Sequence, residues 1–168
     1  MAARALALVR NRDEDRLGEP PGTAIVWLAL GLALFGLGIS TYLTIVHFAG
    51  QQLLECADNG VINCAAVTTS AQSRFLGMPV SVLGLAFYVA VVVIMLPPMW
   101  RVADRRVHLL RVGLMVIGMA FALYLVSAEL LIIGKICIWC TGVHIVTFAL
   151  FIVVMTTSPR LLGWATAA

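Results

Sequence analysis

Apolar residues fall in four long runs, at residues 23–49, 78–96, 107–136 and 138–155, divided by stretches in which the charged side chains collect. About 20 helical residues cross the ~30 Å of a bilayer's hydrocarbon, so each run reads as a membrane helix. The pattern predicts an all-α membrane protein built as a four-helix transmembrane bundle over residues 23–157, with tails at 1–22 and 158–168. The first and third runs exceed the minimum and so tilt or project toward the headgroups. Gly77 and Pro79 open the second run, Pro97 and Pro98 end it, and Pro159 closes the fourth, because proline suits a first turn but cannot continue the ladder. Gly31, Gly36, Gly38, Gly113 and Gly118 permit close approach between helices.

The connection at 50–77 is too long for a simple link in a compact bundle. Within it, residues 65–75 set Val67 and Phe75 against Thr68, Thr69, Gln72 and Arg74, which predicts a short interfacial helix lying across the outer end as a lid. No repeat or pair of half-helices suggests an inverted-repeat transporter.

Composition sharpens the class. The chain is 62% hydrophobic and 11% charged, with a mean hydropathy of +1.03, far from the roughly one-quarter charged residues of soluble domains. The net charge of +3 comes mainly from arginines in the tails and short connections, which argues for orientation and not for nucleic acid. Arg4, Arg10, Arg12, Arg16, Arg101, Arg105, Arg106, Arg111 and Arg160 lie on one side, against Arg74 and Lys135 on the other. This bias places both termini and the 97–106 turn in the cytoplasm of a multi-pass protein of the inner (plasma) membrane. The tail at 1–22 lacks an apolar core and reads as disordered, and the first run acts as an uncleaved signal anchor.

All four cysteines then face the periplasmic side, where disulfides persist. Cys56 and Cys64 flank the Asp58-Asn59-Gly60 turn, which can reverse the chain and bring the two thiols into bridging range. Cys137-Ile138-Trp139-Cys140 opens the fourth run; residues three apart share a helical face, and the positive helix end stabilises a thiolate there. Cys140 sits one turn deeper, where a quinone dissolved in the bilayer can reach it, while Cys137 faces the loop. Alternatively, the cysteines form two inert braces or, with four thiolates, a zinc site, although a Cys-x-x-Cys bridge closes too small a loop to stabilise much.

Cys56, Cys64, Ser70, the segment Gly77-Met78-Pro79-Val80-Ser81-Val82-Leu83-Gly84, and Cys137-Ile138-Trp139-Cys140 together resemble the vitamin K epoxide reductase family, bacterial branch, in order and spacing from the first run to the fourth. The resemblance implies an enzyme that reoxidises a thioredoxin-like (DsbA-like) protein and passes the electrons to a membrane quinone of the menaquinone, ubiquinone or vitamin K type, without a metal. It implies that Cys56 exchanges with the partner, that Cys64 passes electrons to Cys137, and that Cys140 meets the quinone, with Ser70 hydrogen-bonding in that pocket. Animal members carry asparagine where this chain has Val80 and tyrosine where it has His144, so the quinone contacts cannot be copied whole. Some bacterial relatives carry a fused thioredoxin-like domain; here the partner is expected to be a separate polypeptide. The disulfide bond formation protein B type has its two thiol pairs in the opposite order.

Further polar residues remain open to two readings. His144 lies one turn beyond Cys140 on its face, either as a quinone contact or proton donor or as a bond to a neighbouring helix. Glu129, within the third run, is either a functional intramembrane acid or a partner of Lys135 near the surface. Phe75 and Trp139 are either pocket walls or interfacial belt residues, and His47 reads as interfacial. The rival from outside enzymology is a non-catalytic membrane subunit braced by disulfides.

Overall fold

The computed structural model describes residues 21–56, 59–102 and 104–162. The expected tail at 1–22 lies, but for its last two residues, outside the described residues, as do Asp58 of the predicted turn and residues 163–168. Three long helices dominate. Helix α1 (Thr23–Ala49) ends at Gly50, α5 (Arg105–Ser127) starts where the Asp104 carboxylate accepts from the Arg106 amide at 2.8 Å, and α6 is Ile138–Leu162. Between α1 and α5 come the short α2 (Cys64–Thr68), the 16-residue α3 (Val80–Met95) and the single turn α4 (Pro97–Trp100).

Among the described residues, three helices are long and apolar enough to cross a membrane: Thr23–Ala49, Arg105–Ile133 and Ile138–Ser158. The second predicted span is shorter than expected. Val80–Met95 covers about 24 Å at 1.5 Å per residue, because Met78 and Pro79 are drawn into a hairpin and the two prolines begin a new turn. The third run also departs from expectation. It leaves the α-helical path at Ala128, widens into a π-helical turn over Ala128–Ile133, and stops at Gly134, whose φ of 65° is left-handed. In the fourth, the helix continues through Pro159 to Leu162, so that proline forfeits one ladder bond near a helix end without terminating it.

The predicted lid helix over 65–75 is a correction of a different kind. Helix α2 stops at Thr68 because the hydroxyls of Thr68, Thr69 and Ser70 donate back to the carbonyls of Cys64, Ala65 and Val67 at 2.7–2.8 Å. After a 3-10 turn, strand β1 (Arg74–Phe75) pairs antiparallel with β2 (Met78–Pro79). Leu76 and Gly77, at φ 51° and 82°, make the tight two-residue turn between them.

Helix α1 packs on α3 and α6, and α5 packs on α6, whereas α3 and α5 meet only sparsely. Gly36 lets the ring of Tyr88 lie directly on α1, and Gly118 leaves room for Phe87, since a Cβ at either position would overlap the ring. Tyr88, Met115, Leu150 and Trp100 fill the core. Phe35, Ile117, Leu131 and Phe48 point outward, as apolar side chains do when lipid is the solvent. At the far end of the bundle Arg111 is fully buried, lying 3.9 Å over the Trp100 ring and donating to the carbonyls of Ile94 and Met99 at 3.1 Å. It thereby caps the end of α3 and the α4 turn together.

Candidate functional site

The loop between α1 and the hairpin is sewn to the chain just before α6 by backbone. Ile62 and Ile136 form a parallel bridge, the Ile136 amide donates to the Val61 carbonyl at 3.0 Å, and the Asn63 amide donates to the Ile136 carbonyl at 3.1 Å. Lys135 donates to the Gly60 carbonyl and so is turned away from Glu129, contrary to the pairing considered above. Asn63 is the N-cap of α2, its side-chain oxygen accepting from the Ala66 amide at 2.7 Å, which sets Cys64 as the first helical residue. Cys64 and Cys137, at 1% and 0% exposure, therefore share one buried cluster with Val67, walled by Leu54, Cys56, Ile133, Trp139 and Cys140.

Cys56 and Cys64 are joined in a disulfide with a Cα separation of 6.1 Å, and Cys137 and Cys140 are free thiols. Cys56 is only partly buried, whereas its partner Cys64 is sealed, so the pair offers one sulfur to the exterior. Cys137 precedes the first residue of α6 and its sulfur takes the capping position, accepting from the Cys140 amide at 3.3 Å. The Cys137 thiol titrates below its ordinary value. A hydrogen bond with the Cys140 side chain is the main cause, burial opposes it, and the backbone amides of Cys140 and Trp139 assist.

Below this cluster, a cavity of about 390 Å³ opens where α3 and α5 stand apart. Cys140 lines it, as do Ser70, Phe75, Val80, His144 and Glu129, so the fold gathers six sequence-predicted residues from five segments around one space. His47 lines it as well. The lid hairpin supplies its roof through Phe75, Leu76 and Met78, with Phe75 set edge-on to Phe121 at 5.4 Å. Ser70 donates its hydroxyl to the Val67 carbonyl at 2.8 Å, leaving the oxygen free to accept.

Trp139 departs from expectation. It is not among the residues lining the cavity; its indole donates to the Glu55 carbonyl at 2.8 Å and its ring lies 4.8 Å from Tyr42, whose hydroxyl accepts from the Glu55 amide at 2.9 Å. The residue two after the first cysteine of a Cys-x-x-Cys turn faces away from the side that carries both sulfurs, and here Trp139 turns instead to the loop next to Cys56. Conversely, sequence reasoning gave Ser81 no role beyond its place in the family segment and passed over Tyr88 and Thr147, and all three line the cavity. Tyr88 and Thr147 hydroxyls bond each other at 2.9 Å, whereas Ser81 Oγ and His144 Nδ1 are buried without a hydrogen-bond partner. Two unpartnered polar atoms on two walls, α3 and α6, of a mostly apolar space suit a flat ligand bearing oxygens at its edges. The signal for all three was polarity within an apolar run.

Among the described residues no group of three or more His, Cys, Asp or Glu is placed to hold a metal ion. A comparison with curated proteins finds no match. The model of the vitamin K epoxide reductase family matches residues 27–155, from the first turns of α1 to late in α6, and so takes in both thiol pairs and the cavity. The chain thus belongs to the vitamin K epoxide reductase family, whose members are quinone-dependent disulfide oxidoreductases of membranes.

Proposed function

We propose that this enzyme reoxidises a separate thioredoxin-like (DsbA-like) protein outside the cytoplasm and delivers the electrons to a membrane quinone, supporting disulfide bond formation. The observation that carries this reading is the shared burial of Cys64 and Cys137 above a cavity that only Cys140, of the four cysteines, lines. A partner thiolate attacks Cys56, the accessible sulfur, and releases Cys64. The partner's second thiol resolves that mixed disulfide, leaving the partner oxidised and Cys56 free; Cys64 attacks Cys137 of an oxidised Cys137–Cys140 pair, and Cys56 then reclaims Cys64, leaving both inner cysteines reduced. That product state, an outer disulfide with inner thiols, matches the pairing described above. The quinone serves as a two-electron sink. Cys140 faces its ring, Phe75 and Val80 pack on it, and Ser81, His144 and Ser70 meet its oxygens from the two walls and the lid.

The orientation follows the arginine bias: cytoplasmic termini in the inner (plasma) membrane, with the thiols on the periplasmic side. In this reading α3 and the α4 turn together make the fourth crossing of a bundle over residues 23–157, shortened because the hairpin covers its outer end.

Purified protein supplied with a dithiol and a soluble quinone analogue tests the scheme. Cys140→Ala should abolish quinone reduction while the Cys56–Cys64 disulfide still opens; retained quinone reduction by that variant would refute the assignment.

A further inference from the structure

The proposed scheme leaves one buried acid unused. Glu129 is 6% exposed in the π-helical turn Ala128–Ile133, whose next three residues, Leu130, Leu131 and Ile132, are all turned outward. A regular α-helical turn repeats every 3.6 residues; the extra residue of a π turn lets one side chain face inward while its neighbours stay in lipid. Glu129, the one polar residue of the turn, takes that place and lines the cavity beside Ala128 and Ile133. Its carboxyl also lies within reach of the backbone amide of Cys137. Lys135, the nearest cation in sequence, is engaged with Gly60. An acid with no salt bridge among the described residues, set between a thiol pair and a substrate cavity, is costly to keep in a membrane and marks a proton path.

Resting on the function proposed above, we propose that Glu129 is the proton relay between the Cys137 thiol and the reduced quinone. The reaction converts a dithiol and a quinone into a disulfide and a quinol, so two electrons and two protons must leave the cysteines. As Cys137 and Cys140 join, the electron pair passes to the quinone and the two S–H bonds break. The Glu129 carboxylate takes the Cys137 proton and gives it to one quinol oxygen, returning to its starting state. The Cys140 proton goes to the other oxygen, on the His144 wall. Without the carboxylate, Cys137 must lose its proton inside a sealed cluster from which water is excluded.

The test separates the half-reactions in the full-length protein. In Glu129→Gln, reduction of a soluble quinone analogue by protein whose inner thiols are already reduced should slow by about 100-fold or more. Its KM for the quinone should stay within about twofold. Among the described residues, the titratable groups facing this path are Cys137, Cys140, His144, His47 and Tyr88, and in the variant they remain to shape the pH profile, which should lose its lower limb. Transfer from the outer to the inner pair, read by alkylation, should be unchanged. A variant with full rate and unaltered pH profile, or one that loses only quinone affinity, overturns the relay. Should the glutamine variant fail to fold, Glu129→Asp and reaction-induced infrared difference spectra of the unaltered enzyme decide the question. A carboxyl band that responds to quinone addition and shifts in the aspartate variant supports the relay; a silent carboxyl region overturns it. The Cys140→Ala experiment fails or succeeds independently, so loss of the relay and loss of the underlying function remain distinguishable.

Discussion

Cys64 and Cys137 each follow directly on a residue of the same backbone contact, the Asn63 amide donating to the Ile136 carbonyl at 3.1 Å. Two sulfurs far apart in sequence are thus held in one buried cluster by main chain, a linkage that substitution of side chains does not readily undo. In the proposed relay, this arrangement gives the order in which electrons move.

If Cys64 is the link, Cys64→Ala removes the outer disulfide and leaves Cys56 a free thiol that cannot oxidise a reduced partner, so nothing can be handed onward. The partner should stay reduced, as alkylation on non-reducing gels would show, and partner-driven quinone reduction should fall to background. A variant that still reduces quinone at more than about a tenth of the normal rate would mean that another route exists.

The depressed titration of Cys137 rests first on its hydrogen bond with the Cys140 side chain. With Cys56 and Cys64 joined, Cys140→Ala leaves Cys137 as the single free thiol, so thiolate absorbance reports it alone. Its pKa should rise toward the ordinary value, while Cys140→Ser, which retains a donor, should keep it lower. Because the folded pKa is depressed, the thiolate's contribution to stability is fully present above the ordinary thiol pKa and lost as pH falls through the folded one. Thermal unfolding of the serine variant should therefore weaken over that interval more than that of the alanine variant.

Trp139 ties the loop down without touching the cavity. Trp139→Phe should lose one hydrogen bond, about 1 kcal/mol, seen as faster exchange of the amides around Glu55. The KM for quinone should not move.

Gly36 and Gly118 each seat an aromatic ring, yet to different ends. Gly36→Ala should overpack Tyr88 in the core and cost about 1–3 kcal/mol in unfolding experiments. Gly118→Ala should instead push Phe87 toward the open cavity, raising the KM for quinone several-fold with a smaller loss of stability.

The Cys-x-x-Cys pair was legible because its chemistry is local: spacing of three puts both sulfurs on one helical side, and the helix start supplies the amides. The long apolar helices were legible for a similar reason, since hydropathy and length are properties of a segment. The lid was not. Helix-like spacing over 65–75 competes with hydroxyls that bond back to the carbonyls of α2 and with a turn at Leu76 and Gly77, and those local bonds win. Glu129 was visible as a buried acid, but the direction it faces depends on a π turn that no periodicity announces.

Taken by itself, the sequence determined membrane character, family membership and which thiols lie close enough along the chain to pair, because each depends on composition or short spacing. Only the tertiary structure decided that Cys64 meets Cys137, that Ser81 joins the cavity while Trp139 leaves it, and that α3 is shorter than the apolar run that predicted it. Those outcomes turn on a backbone bridge between distant segments and on the gap left where α3 and α5 diverge, and neither is written in any one stretch of residues.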